Sequence, residues 1–210
     1  MGSISCYIFE GTWWSNREVP QILPYFQALE ISGNRIKLSH RTFRNADDIS
    51  HWISRIPADE RAFVYFACHG EKQQLVPVDG RSPIKNENLL DALATAKNDA
   101  IDFLHFGCCE MISENNRRKS LESYLLASNA KWVSGYAKTI DWLPSTLLDL
   151  ALVAELAVPY YNDSKKKKVK LSFRGRRFLK YYEQLVRSLE FSGAYMNGCG
   201  NIELFPKRHG

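Results

Sequence analysis

Two apolar runs in this chain each end in a residue that can do acyl-transfer chemistry. FVYFACHG, from Phe63, closes on His69 and Gly70; DFLHFGCCEM, from Asp102, closes on Cys109 and Glu110. A thiolate attacks carbonyl carbon far better than a thiol does, and an imidazole within reach can take or hold the proton that makes one. Some forty residues separate His69 from Cys109, enough for one helix between two strands. In a right-handed strand–helix–strand crossover the strands lie parallel, and both carry their last side chains to the same carboxyl edge. The expected reaction has Cys109 as nucleophile and His69 as proton carrier. The backbone N–H groups of Gly70 and Cys109, each at a strand end, are the expected donors to a developing oxyanion. Glycine at position 70 leaves room for a substrate to approach the backbone.

The other cysteines and histidines read as packing residues. Cys108 is the competitor for the nucleophile, one residue from Cys109 and on the opposite face of a continuing strand. Cys6, Cys68 and Cys199 fit the usual buried, inert role of a free cysteine. His105 falls on a core face of its strand and reads as a satisfied buried histidine, while His40, His51 and His209 read as surface or packing residues. Five cysteines, odd in number and irregular in spacing, argue against a disulfide framework and for a reducing, cytoplasmic setting. No CxxC pair is present, so no metal site is expected.

With 210 residues, 45% hydrophobic and 24% charged, the chain fits a single domain over residues 1–210 with one large core. No apolar run reaches membrane-spanning length and the start lacks the pattern of a signal peptide, so a soluble protein without a transmembrane segment is expected. Strands are predicted at residues 4–9, 35–43, 63–68, 75–78, 101–108 and 131–137. Helices are predicted over 18–31, from Asp47 or Asp48 to Ile56, over 87–97 with Asn86 as its cap, over 121–127, from Pro144 through a long apolar stretch, and over 173–190. AYMNG and NIELFP read as a closing antiparallel pair, and the Asp79-Gly80 dipeptide as a turn. This alternation predicts a three-layer α/β domain with a mainly parallel central sheet and helices on both faces.

A strand ending His-Gly, a short strand with Asp-Gly, a helix, then a strand ending small-Cys-Glu resembles the CHAT branch of the caspase-like (clan CD) cysteine peptidases. The resemblance is tightest from Phe63 to Met111 and continues through WVSGYAKTIDW. It implies a caspase-like fold, a thiol protease with His69 and Cys109 as catalytic pair, a protein substrate, no cofactor, and regulation by a partner or stress signal as in defence and cell-death systems, antiviral defence among them. In relatives, the pocket for the residue before the cut is built from positions that correspond here to Glu10, Gly107 and Asp141. Two acids and a glycine would favour Arg or Lys, and Trp142 would wall the neighbouring subsite. Relatives are also cut between the nucleophile strand and the next, which here points to Arg117–Lys119 as a self-cleavage loop.

The formal charge of +5 is concentrated between Lys165 and Lys180, where KKKKVKLSFRGRRFLK has no acid. That basic patch could contact nucleic acid or an acidic surface, or it could be a solvated linker. A second function therefore stands beside the first, a catalytically inactive caspase-like scaffold that binds a protein or nucleic acid through this patch.

Overall fold

A computed structural model describes residues 4–13, 21–31, 36–78, 80, 82–161 and 171–206. The four lysines at 165–168, Lys170, Asp79 and His209 lie outside these residues. The described elements run β1 (Ile4–Glu10), α1 (Leu23–Ile31), β2 (Ile36–Thr42), α2 (Ala46–Ile53), β3 (Ala62–Ala67), β4 (Gly70–Glu71), β5 (Gln74–Leu75), α3 (Asn86–Leu93), β6 (Ile101–Phe106), α4 (Arg117–Ser128), β7 (Trp132–Tyr136), α5 (Trp142–Tyr161), α6 (Leu171–Tyr181), α7 (Glu183–Ser188), β8 (Phe191–Met196) and β9 (Ile202–Phe205).

Seven strands form one sheet in the order β2-β1-β3-β6-β7-β8-β9. The first five are parallel, and β8 and β9 are added antiparallel to their neighbours. Every residue of β3, β6 and β7 is buried, because helices cover both faces of the middle strands. One face carries Val64, Phe66, Leu104 and Phe106 and packs against α2, α3 and α4 through Ile49, Leu89 and Leu121. The other carries Phe63, Tyr65 and Phe103 and packs against α1, α5, α6 and α7 through Phe26, Leu152, Phe178 and Val186. The expected three-layer α/β architecture is thus the one found. No helix among the described residues is long and apolar enough to cross a membrane.

Several boundaries differ from the expectation, each for a local reason. Helix α2 is capped by Asn45, whose Oδ1 accepts the Asp48 N–H at 2.9 Å, so the cap lies earlier than Asp47 or Asp48. Asn86 is already inside α3 and spends its side-chain oxygen on the Tyr124 hydroxyl at 2.7 Å. The strand expected at 75–78 is instead a two-residue arm, Gln74–Leu75, folded back on Gly70–Glu71. Its turn residues, Lys72 and Gln73, both have positive φ, as a tight hairpin turn demands. The single helix expected over 173–190 breaks at Tyr182 into α6 and α7. Arg117–Lys119 is not a loop but the first turn of α4, and the Arg117 guanidinium donates to the carbonyl of Phe205.

Candidate active site

The chain direction reverses beside β1, which has β2 on one side and β3 on the other, and in open α/β sheets such a switch point opens a crevice at the carboxyl edge. The segments that follow β1, β3, β6 and β7 meet at that edge. They enclose a cavity of about 320 Å³, lined by Trp13, Cys68, His69, Gly107, Cys109, Thr139, Ile140, Trp142 and Ser145. His69 and Cys109 are therefore both among the residues that line one space. His69 is exposed, and its backbone is held on both sides: its N–H donates to the Thr12 carbonyl at 2.6 Å and its carbonyl accepts the Val76 N–H at 3.0 Å. Cys109 is half-buried, whereas Cys108 beside it is fully buried.

The Cys109 sulfur accepts the backbone N–H of Ile140 at 3.4 Å, a contact that favours the thiolate. Burial works against it and is the larger effect, joined by the adjacent Glu110 carboxylate, so the thiol titrates above its ordinary 9.0. Glu110 has a left-handed backbone, φ 52°, and is tied at four points. Its N–H donates to the Lys138 carbonyl at 3.3 Å and its carbonyl accepts the Gln73 N–H at 3.0 Å. Its carboxylate accepts the Lys72 N–H and the Thr139 hydroxyl, each at 3.2 Å. The residue after the thiol thus clamps the β4–β5 hairpin and the loop after β7 against the end of β6.

Gly70 lies directly against Cys109. A Cβ placed on it would sit 3.2 Å from the Cys109 nitrogen and 3.0 Å from the Cys108 Cβ. Because Val76 donates to His69, Gly70 and Leu75 form a non-hydrogen-bonded pair, and the Gly70 N–H points away from β5. The two backbone donors named from the sequence are thus neighbours. No protein-family model matches this chain, and no curated protein matches it either.

The proposed substrate-pocket residues divide. Gly107 and Trp142 line the cavity, Trp142 edge-on to Trp13 with ring centroids 6.2 Å apart. Glu10 does not, and the expectation that it would meet a substrate cation is corrected. It is 5% exposed, with one carboxylate oxygen accepting Trp13 Nε1–H at 3.1 Å and the Ile22 N–H at 2.8 Å, and the other bonded to His40 at 2.6 Å. Both oxygens are occupied in holding Trp13 and the start of α1. Asp141 is exposed outside the cavity lining, its carbonyl accepting the Ser145 N–H at 3.1 Å in the first turn of α5.

Beneath Gly107 lies a polar network that no sequence pattern announced. Buried Asp149 accepts the Tyr65 hydroxyl at 2.7 Å on one oxygen, and the Tyr136 hydroxyl at 2.5 Å and His105 Nε2 at 2.7 Å on the other. His105 Nδ1 meets Ser134 Oγ at 2.8 Å, which also accepts the Trp132 indole N–H at 2.9 Å. His105 is thus the satisfied core histidine expected of it. Burial and the Asp149 carboxylate push both tyrosine hydroxyls well above their ordinary range. Gly107 is required above this network, since a Cβ there would lie 2.6 Å from Tyr65 Cζ and 2.7 Å from Asp149 Oδ2.

Among the described residues no group of three or more His, Cys, Asp or Glu is arranged to hold a metal ion. The described part of the basic segment is divided too. Arg177 pairs with Glu155 of α5 at 2.5 Å, and Arg174 is 4% exposed on the same side. Arg176 and Lys180 border a separate cleft between α6 and β9.

Proposed function

We propose that this protein is a cysteine endopeptidase of the caspase-like, CHAT-type class, with Cys109 as nucleophile and His69 as its proton partner. The observation that carries the reading is the one cavity whose lining includes both residues, at the carboxyl edge of adjacent parallel strands, with Gly70 packed against the Cys109 backbone. As the neutral thiol attacks a peptide carbonyl, the imidazole takes its proton and returns it to the leaving amine. The carbonyl oxygen, now negative, is received by the N–H groups of Gly70 and Cys109, and water then releases the acyl group from sulfur. No metal or organic cofactor enters this scheme.

Among the described residues the cavity beside the sulfur is walled by Trp13, Ile140 and Trp142, and none that line it carries a carboxylate. A substrate cation there would lose its hydration without a counter-charge, which is costly. The residue before the cut is therefore read as large and apolar or aromatic, in place of the Arg or Lys expected from Glu10 and Asp141. Fluorogenic peptides ending in Phe, Leu, Arg, Lys and Asp test both points. Hydrolysis of the Phe and Leu peptides is expected, lost in Cys109→Ala and reduced at least a hundredfold, on the order of one general acid–base contribution, in His69→Ala. Hydrolysis that survives Cys109→Ala rejects the nucleophile, and preference for Arg or Lys rejects the apolar pocket and returns Asp141 to the argument.

A further inference from the structure

Cys68 and Cys108 stand directly across from each other where β3 and β6 run out. The parallel register pairs Phe66 with Phe106, so two residues further on Cys68 faces Cys108, and alternation turns both side chains to the face that carries Phe66 and Phe106. Their sulfurs are 3.4 Å apart, and both residues are at most 1% exposed. Neighbouring strands place opposed backbones about 4.8 Å apart, inside the Cα separation of about 4.4–6.8 Å that a disulfide spans. To bond, the two sulfurs must close from 3.4 Å to a disulfide length of about 2.0 Å. Cys68 is also among the residues that line the cavity holding Cys109.

We propose that Cys68 and Cys108 form an oxidation site, a dithiol that a peroxide converts to a disulfide while Cys109 keeps its free thiol. In the first step the Cys68 sulfur attacks the O–O bond of hydrogen peroxide, and water leaves as Cys68 becomes a sulfenic acid. In the second the Cys108 sulfur attacks the Cys68 sulfur; the S–S bond forms, the S–O bond breaks, and a second water leaves with the Cys108 proton. Two thiols lose two electrons and the peroxide gains them. The bond lies immediately behind His69 on one strand and Cys109 on the other, so it ties together the two strand ends that carry the candidate site. Bond formation does not depend on Cys109 being a nucleophile, and its readout is independent of any peptidase activity.

The test uses the full chain, reduced, desalted and treated with hydrogen peroxide, then alkylated and read by intact mass and peptide mapping without reductant. The expected product has lost two hydrogens, carries a Cys68–Cys108 cross-link and is still alkylated at Cys109. Cross-linking a loop of this length raises the thermal midpoint by on the order of 10 °C over the reduced form. Cys108→Ala and Cys68→Ala each abolish both the mass loss and the oxidant-dependent rise, while Cys109→Ala retains them. A bridge that includes Cys109, or Cys109 oxidised to sulfinic acid with Cys68 and Cys108 both still alkylatable, overturns the proposal.

Discussion

Adding one methyl group at Gly70 tests whether its contact with Cys109 shapes the site. The new Cβ would lie 2.3 Å from the Cys109 carbonyl oxygen, 3.0 Å from the Cys108 Cβ and 3.2 Å from the Cys109 nitrogen. Non-bonded carbon needs about 3.5 Å, so either the β4–β5 hairpin or the Cys109 peptide must move by roughly 1 Å. Neither is free to move: His69 is bonded to Thr12 and Val76, and Glu110 to Lys138 and Gln73. Overpacking of this kind costs about 1–3 kcal/mol of stability, which for a chain of this size lowers the thermal midpoint by about 2–12 °C. A displacement of about 1 Å at reacting groups costs about a hundredfold in rate, equivalent to about 2.7 kcal/mol in the barrier. In Gly70→Ala, thermal unfolding and kcat/KM on the Phe peptide should therefore both fall, with the rate falling further than lost stability explains at a temperature where the variant is folded. A variant with unchanged midpoint and unchanged kcat/KM refutes the contact and the oxyanion role together. Lost stability with an unchanged rate leaves the packing intact and removes the catalytic argument.

Asp149→Ala leaves the hydroxyls of Tyr65 and Tyr136 and Nε2 of His105 without their shared acceptor in a dry interior, and should cost about 3–5 kcal/mol by urea unfolding; a loss under 1 kcal/mol would mean the network relaxes or hydrates. Since burial and the Glu110 carboxylate raise the Cys109 pKa, its iodoacetamide reaction, followed by mass spectrometry, should still be accelerating with pH at 9.0. A plateau below pH 8 would instead indicate a thiolate already paired with His69. Glu110→Gln removes the charge and should shift that alkylation profile to lower pH; a profile moving the other way would show that the clamp around the loop outweighs the charge.

The layered architecture was readable because buried parallel strands leave a plain mark: β1, β3, β6 and β7 are short, nearly continuous apolar runs, and alternation with helices leaves few ways to arrange them. His69, Gly70 and Cys109 could be gathered at one edge on the same grounds, since strand ends in a parallel sheet share a rim, while Gly107 and Trp142 were named through the family resemblance alone. What escaped was set by contacts between distant segments. Glu10 looked like a pocket acid through the family resemblance, yet whether a carboxylate meets substrate or scaffold depends on donors brought by Trp13, Ile22 and His40. Asp149 was one acid in a long apolar helix, and no local pattern shows that three donors converge on it. The boundary of α4 failed for a simpler reason: Arg117 and Lys119 look polar and loop-like, although charged residues are ordinary on the exposed side of a helix.

The two adjacent thiols owe their difference to the end of a strand. While β6 lasts, alternation commits every second side chain to the α2–α3–α4 face, and Cys108 still follows that rule, packed with Cys68 and fully buried. Burial and the neighbouring sulfur push its thiol well above the ordinary cysteine range, and its sealed position sets it against the Cys68 sulfur rather than a peptide carbonyl. Cys109 comes one step later, where the ladder has stopped and Glu110 turns the chain with a positive φ. That turn half-exposes the second sulfur and brings it to the Ile140 N–H and the common cavity. The same register that seals Cys108 beside Cys68 as a latent dithiol thus leaves Cys109 as the thiol that a carbonyl can reach.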